Sequence, residues 1–410
     1  MKILIANWIY NWGSTGYIAR DLKNELHQMG HEVLVAAGKS HGSDGTMVFC
    51  TPFEQKLYWR LHRVGLSRLR GSTKAAKRLA HYIEQEKPDI VNLHLLHCNY
   101  LNLYYLLRWL GENNIKTIIT NHAELYFTGS CGYSYDCMKF VDSQCQHCPN
   151  KTYATGGAFL FGDTHRNWKL MKKAFSYFKK ENLAFTAVSP WTRDRFYLSP
   201  ITKGFDCSVT LNGLNINTFY KRTDLTIIQE RLGNIPYIVW VTANFNPLNK
   251  EDVKGGWYMV ELARQMPKQK FVVVATGYTN TVELPGNMFL WGRAKDQDEL
   301  AQLYSGALLT VLVSRKETFS MVTAESLCCG TPVVGFKAGG PETIAIPEYS
   351  RFVSQADTAA LVKAIEEMLV IDFNHQEISE KAREKYSPKS MALQYLDAYN
   401  HLLNRTNRDK

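Results

Sequence analysis

A chain of 410 residues exceeds one ordinary hydrophobic core, so two domains of roughly 200 residues are expected. Apolar residues at 45% and charged residues at 21% exclude the disordered and fibrous classes, and the absence of any apolar run of about 18 residues excludes a spanning helix. The net charge of +10 is one-sided: residues 1–205 hold 26 Lys and Arg against 15 Asp and Glu, residues 206–410 hold 22 against 23.

The stretch Met1–Tyr10 has one Lys and only the short apolar run Ile3–Ala6. That is too little for a secretory signal, and a cytoplasmic location is the expectation. Lys2–Ala6 reads as a strand, followed by a glycine-bearing loop from Asn11 to Gly16. Ile18, Leu22 and Leu26 then recur at helical spacing, and Gly30 closes that helix as a C-cap. His31–Ala36, Pro88–His94, Lys116–Thr120 and Leu183–Val188 read as further strands, with a helix at Leu101–Leu110 and a last strand at Val209–Leu211. Between them, Lys56, Arg60, Arg63, Arg68, Arg70, Lys74, Lys77 and Arg78 meet no acid. Such a stretch suits an anionic surface, a membrane face above all; a solvated helix face is the alternative. Nucleic acid is the weaker partner, because no recognised binding module accompanies the charge.

Four of the nine cysteines cluster: Cys131, Cys137, Cys145 and Cys148. The two-residue gap of Cys145-Gln-His-Cys148 lets two thiolates grip one tetrahedral metal, whereas five residues between the first pair is loose for that role. The cluster admits a structural zinc ion, reduced thiols in a compact loop, or a disulfide.

Asn212-Gly213 reads as a turn at the domain junction. A second alternation follows: strands at Tyr237–Thr242, Phe271–Ala275, Met288–Leu290, Leu308–Val313 and Pro332–Gly335, and helices at Trp257–Arg264, Gln297–Ser305, Met321–Cys329 and Thr358–Leu369. One or two final helices fill Pro388–Leu403. Helices between short apolar strands imply right-handed crossovers and parallel sheets. The predicted fold is α/β, two doubly wound Rossmann-like domains facing across a cleft. The expected divisions are 1–212 (with a Cys-rich insertion at about 127–150), 213–385, and a helix in 386–410 that crosses back to the first domain. Asp296 begins a predicted helix, so Asp296-Gln297-Asp298 reads as an N-cap rather than a metal site.

The sharpest pattern is Glu317-Thr-Phe-Ser-Met-Val-Thr-Ala-Glu325, which leaves a strand and opens a helix. At 1.5 Å per helical residue its two carboxylates stand roughly 9–12 Å apart. That span suits hydroxyls on two rings of one ligand and is too long for a close retaining-hydrolase pair. The amides of Phe319, Ser320 and Met321 would point toward an anion.

Glu317–Glu325, the following Ser-Leu-Cys-Cys-Gly-Thr-Pro-Val-Val and Gly339-Gly340-Pro341-Glu342 resemble the signature of retaining GT-B glycosyltransferases of family 4. Asn92–Leu103, Asn121-His122, Phe127–Cys137, Cys145–Pro149, Trp168–Lys173 and Val188–Pro190 are similar to a bacterial surface-polysaccharide branch of that family, the colanic-acid type. The resemblance implies that Glu317 holds sugar hydroxyls and Glu325 the nucleotide ribose. It implies that Gly13, Ser14, Thr15 and Gly16 approach the donor diphosphate, that Lys254 neutralises it, and that His122 lies near the reacting carbon. His94 and His97 are second choices. An arginine usual in the family is missing at Ala243-Asn244-Phe245, where Lys250 could supply the charge, and the chain has Asn121-His122-Ala123-Glu124 where many relatives have His followed by Asp. By the same resemblance no catalytic metal is expected. The donor is a nucleotide sugar, UDP-linked in preference to GDP-linked. The acceptor is a polyprenyl-diphosphate-linked saccharide, met by a peripheral enzyme at the inner face of the cell membrane. A non-catalytic nucleotide-sugar-binding scaffold and a GT-B-like epimerase are the competing readings.

Overall fold

The computed structural model describes residues 1–40, 45–66, 69–96, 100–155, 162–278 and 283–405; Arg68 and His97 lie outside them. The chain divides into two compact units, Met1–Gly213 with Met391–Lys410, and Leu214–Ser390.

In the first unit the described residues form seven strands: β1 (Lys2–Tyr10), β2 (Glu32–Ser40), β3 (Met47–Val48), β4 (Ile90–Leu93), β5 (Thr117–Asn121), β6 (Leu183–Ala187) and β7 (Cys207–Val209). They pair in parallel in the order β3-β2-β1-β4-β5-β6-β7. Both faces of β1 are covered, which is why it reads as a continuous apolar run rather than an alternation. Leu4 and Ala6 point to a core shared with α3 (Thr73–Glu86) and α4 (Leu103–Glu112). Ile3 and Ile5, on the opposite face by the period of two, meet Ile18, Leu22 and Leu26 of α1 (Gly13–Gln28). The final helix, Pro388–Asn404, joins that second core through Met391, Tyr395 and Tyr399. There the Tyr399 hydroxyl accepts from Asn92 Nδ2 at 2.8 Å, and the Tyr395 hydroxyl donates to Thr120 at 3.2 Å.

The second unit repeats the plan with β8 (Tyr237–Phe245), β9 (Lys270–Tyr278), β10 (Met288–Gly292), β11 (Leu309–Leu312), β12 (Val333–Phe336) and β13 (Ser350–Val353). Their order is β10-β9-β8-β11-β12-β13, again with parallel pairs. In each sheet the order reverses once, between β1 and β4 and between β8 and β11. Ligands of doubly wound sheets bind outside the carboxyl ends of the strands at such switch points.

Three local expectations change. First, β1 runs on to Tyr10 and α1 begins at Gly13, so Gly13–Gly16 form the first turn of a helix instead of a free loop. Second, the basic stretch is two helices, α2 (Pro52–Arg63) and α3, not one charged face. Its Arg78 ion-pairs with Glu54, just outside the stretch, and donates to the Phe49 carbonyl at 2.9 Å. Third, the edge strands β3 and β13 were not anticipated, and the last strand of the first sheet lies at Cys207–Val209 rather than Val209–Leu211; Ser350-Arg351-Phe352-Val353 has neither an apolar run nor alternation strong enough to mark it.

Candidate functional site

In the second unit the residues at the β8/β11 switch are brought together by two glycine contacts. Gly255 adopts φ +75, a left-handed conformation that favours glycine. A Cβ there would drive into the Val313 carbonyl just past β11. This close approach carries the preceding Lys254 to the end of β11, where its ammonium donates to Glu317 Oε1 at 2.6 Å. The same loop is tied down by the Arg315 amide, which donates to the Val253 carbonyl at 2.8 Å.

Glu317 is fixed from the other side by the Gly339-Gly340 turn. Its amide donates to the Ala338 carbonyl at 3.0 Å, and its carbonyl accepts from the Gly340 amide at 2.8 Å. A side chain on Gly340 would press into the Thr318 carbonyl and meet the Phe319 nitrogen at 2.6 Å. Glu342 holds the turn itself, accepting from the Ala338 amide at 3.0 Å and the Gly339 amide at 2.9 Å. Burial raises the Glu342 carboxyl while these amides act the other way.

Ser320 caps the helix Met321–Cys328 with φ +80, a conformation that costs a residue other than glycine about 1–3 kcal/mol. Its hydroxyl offsets part of this by accepting from the Thr323 amide and hydroxyl at 3.3 and 3.0 Å. Phe319 is buried edge-on against Tyr386, so it shapes the loop from behind, while Met321 opens the helix. Four residues on, Glu325 accepts from the buried Tyr304 hydroxyl at 3.1 Å, and burial pushes its carboxyl up to about 7. Tyr304 carried no signal in the sequence, since a tyrosine inside an amphipathic helix looks like core. Lys250 does not join this group: its ammonium lies over the Trp257 ring, 4.6 Å from the centroid. The segment Ala243–Phe245, where an arginine was missing, is the end of β8 rather than a loop. Asp296 caps its helix as expected, accepting from the Glu299 amide at 2.9 Å.

In the first unit, His122 follows β5 and its Nε2 shares a hydrogen bond of 2.9 Å with Nδ1 of His94, which follows β4. The rings stack with centroids 5.1 Å apart. Burial, reinforced by the His122 ring, holds the His94 pKa well below the ordinary imidazole value. His94 is therefore a neutral partner that fixes the orientation of His122. Gly13 and Ser14 are exposed at the start of α1, whereas Gly16 is buried. Thr15 is secured by its carbonyl, which accepts from Asn7 Nδ2 at 3.0 Å. Glu124 has a structural part: it ion-pairs with Arg195 and accepts from the Ser134 amide, anchoring the Cys-rich segment. Arg195, remote in sequence, was invisible as its partner.

Cys131, Cys137, Cys145 and Cys148 are free thiols. Burial first, then the neighbouring cysteines, push the Cys145 thiol up to about 12, and Cys131 is raised in the same way. Among the described residues no three His, Cys, Asp or Glu side chains are arranged to hold a metal ion. Nor is any described helix long and apolar enough to cross a membrane.

The chain is 21% identical to N-acetyl-alpha-D-glucosaminyl L-malate synthase of Bacillus anthracis over 98% of both chains. A shorter stretch, 20% of this chain and 21% of the relative, is 34% identical to D-inositol 3-phosphate glycosyltransferase of Segniliparus rotundus. Among solved structures it resembles sucrose-phosphate synthase of Thermosynechococcus elongatus, with TM-score 0.66, 18% identity and coverage of 98% and 99%. It also resembles HepE of Anabaena in complex with UDP-glucose, with TM-score 0.62, 14% identity and coverage of 98% and 100%. These structures share the GT-B plan of two parallel-sheet Rossmann-like domains. Residues 15–202 match the family described as Glycosyltransferase Family 4, and residues 254–385 match Glycosyl transferases group 1. On those two matches, which together take in most of the sequence, the chain belongs to the group 1, family 4 glycosyltransferases and is a transferase enzyme.

Proposed function

We propose that this glycosyltransferase moves a hexose from a UDP-sugar, with retention, to a hydroxyl of a polyprenyl-diphosphate-linked saccharide in surface-polysaccharide synthesis. The observation that carries the donor half is the meeting of Lys254, Glu317 and the Ser320-capped helix at the β8/β11 switch, with Glu325 on the next turn. A cation beside a helix start suits a diphosphate, and two acids suit hydroxyls on either side of it. The HepE structures hold UDP and UDP-glucose, which favours uridine as the base here.

In this reading Lys254 and the amides at Phe319–Met321 stabilise the charge that develops on the diphosphate as its bond to the anomeric carbon breaks. The acceptor oxygen forms its bond on the same face, and its proton passes to a diphosphate oxygen. Glu317 orients the sugar hydroxyls, and neither glutamate becomes a nucleophile. His122, held by His94, is given to the sugar near the reacting carbon, and Gly13–Gly16 to the diphosphate. Incubating the enzyme with UDP-sugars and a short-chain prenyl-diphosphate saccharide tests this. An α-linked product from an α-linked donor is expected; an inverted product would reject retention, and donor conversion without acceptor would indicate an epimerase.

The ribose role of Glu325 makes donor binding pH-dependent. Ribose hydroxyls donate to the ionised carboxylate, while the free protein holds it half-protonated near pH 7. Donor affinity therefore rises from about pH 6 to 8, with proton release on binding; Glu325→Gln flattens both. The sign for folding is opposite: a carboxyl raised in the folded state loses stability as pH climbs from its ordinary range toward 7. Calorimetry of UDP binding in buffers of different ionisation enthalpy reads the released proton.

The membrane half rests on α2. Phe53, Leu57 and Trp59 are exposed there, Phe53 at 74%, beside Lys56, Arg60 and Arg63. Apolar and basic side chains on one helix suit an anionic bilayer surface. The protein should float with vesicles containing anionic lipid and stay behind with neutral ones; Phe53→Ser with Trp59→Ser should abolish flotation.

A further inference from the structure

We infer that Tyr395 of the final helix is a positioning residue for the transfer: it holds His94 so that the His94–His122 pair keeps one proton arrangement, with His122 a hydrogen-bond donor through Nδ1. This rests on the transferase reading, in which His122 meets the sugar, and specifies how His122 acts and what orients it. All the residues concerned lie in the first unit.

The sheet face that meets the final helix changes character along three strands. Ile90, Ile118 and Ala184 belong to the apolar core that holds Tyr395 and Tyr399. Two residues on, by the period of two, the same face carries Asn92 on β4, Thr120 on β5 and Thr186 on β6. Two further, just past the ends of β4 and β5, come His94 and His122. Asn92, His94, Thr120 and Thr186 are all fully buried. Polar groups in such a place cost stability unless each is bonded, whereas aliphatic side chains would fill the space without that demand. Their presence needs a reason other than packing.

Their hydrogen bonds form two rungs between neighbouring strands. The Thr120 hydroxyl donates to Asn92 Oδ1 at 3.2 Å, and His94 Nδ1 meets His122 Nε2 at 2.9 Å; each rung joins residues 28 apart in the chain. The final helix matches this spacing, because one helical turn and two strand residues both advance about 6 Å. Tyr399 accepts from Asn92 Nδ2 at 2.8 Å. Tyr395, one turn earlier, donates to the Thr120 hydroxyl at 3.2 Å and lays its ring 5.7 Å from that of His94, at 33°. Thr120 also accepts from the Thr186 hydroxyl at 3.0 Å. Its donor and both lone pairs are then used, which fixes where Tyr395 lies. The His94 backbone is held as well: its amide donates to the Ala6 carbonyl at 2.8 Å, and its carbonyl accepts from the Tyr126 hydroxyl at 3.0 Å.

The proton arrangement follows from what His94 lacks. Its Nε2 is buried with no hydrogen-bond partner among the described residues, and burial keeps the ring neutral, so it carries one proton. A proton on Nε2 would leave a buried N–H without an acceptor, a rarer defect than a bare lone pair. The proton therefore sits on Nδ1 and is donated to His122 Nε2. A neutral His122 then carries its own proton on Nδ1. It donates there to a sugar oxygen and does not take the acceptor's proton through Nε2. Tyr395 keeps this arrangement by filling the space beside His94. A smaller side chain would open room for water, and a water accepting from Nε2 would satisfy the opposite arrangement.

Two-bond proton–nitrogen NMR of enzyme labelled at its histidine nitrogens reads which ring nitrogens carry protons, with no ligand present. The two signals are identified by their loss in His94→Gln and His122→Gln. In the parent both rings should show a protonated Nδ1 and a bare Nε2. Tyr395→Phe keeps the ring, and should keep this pattern and kcat within about two-fold. Tyr395→Val should populate the opposite arrangement and lower kcat per folded molecule about ten-fold or more, since small misplacements near a reacting centre are costly, with UDP affinity unchanged. A protonated His94 Nε2 in the parent, or loss of the pattern in Tyr395→Phe, would overturn the inference, and both are read even if Tyr395→Val fails to fold. A Tyr395→Val enzyme that melts lower but keeps the pattern and kcat would make Tyr395 merely structural and overturn it too. Absence of UDP binding by the parent would overturn the donor reading alone, because the proton pattern is read without ligand.

Discussion

Lys254→Ala is expected to lower kcat by about 10²–10³, the cost of removing one group that stabilises developing oxyanion charge. The fold should not suffer. The Lys254–Glu317 pair is partly open to solvent, with side-chain exposures of 32% and 14%, and such pairs contribute little to stability. The discriminating result is a large loss in kcat with an unchanged melting temperature. Near-normal turnover would remove Lys254 from the reaction. A parallel loss of folding would make the pair structural.

The second large effect is steric. Gly255→Ala and Gly340→Ala should each cost most of the activity and about 1–3 kcal/mol of stability, because in both a Cβ enters a packed backbone carbonyl and at Gly255 the left-handed φ of +75 adds strain. The Gly255 Cβ would enter the Val313 carbonyl and displace Lys254; the Gly340 Cβ would enter the Thr318 carbonyl and displace Glu317. For a unit of this size the melting temperature falls roughly 2–4 °C per kcal/mol. Gly286→Ala is the control, since nothing lies within 4 Å of a Cβ there. Gly255→Ala or Gly340→Ala melting and turning over like Gly286→Ala would mean that the two turns do not position the acidic and basic groups.

What the sequence disclosed follows from how locally each feature is encoded. The helices Gln297–Ser305 and Thr358–Leu369 are found residue for residue, because an aspartate cap and an apolar period fix both their starts and their faces. The strand β1 was cut short at Ala6 because Asn7 breaks the apolar run. Yet Asn7 is fully buried, its amide satisfied by the Thr15 carbonyl and by the Trp8 and Leu95 amides. A buried polar residue inside a strand cannot be told from a strand end by pattern alone when its partners are backbone groups of the next helix turn and of a loop.

Site residues divide the same way. Lys254-Gly255 and Glu317–Glu325 each stood out as a short local motif, but that Lys254 meets Glu317, 63 residues on, was not written in either. Tyr304 under Glu325 and Arg195 on Glu124 join residues of separate elements, 21 and 71 apart in the chain. Nothing local requires those pairings; only the parallel sheet, by lining up its strand ends, creates them.

The central claim is that the second unit binds a nucleotide diphosphate sugar through Lys254 and Glu325. A thermal-shift comparison of UDP, GDP and ADP, with their common sugars, tests it most directly, on the parent enzyme and on Lys254→Ala and Glu325→Ala. Binding to the folded state alone stabilises by about 2.7 kcal/mol at roughly 100 times the dissociation constant. The account predicts a clear shift for one base, UDP first, that persists in EDTA and shrinks in both variants. No shift with any nucleotide, or a shift that both variants retain in full, would contradict it.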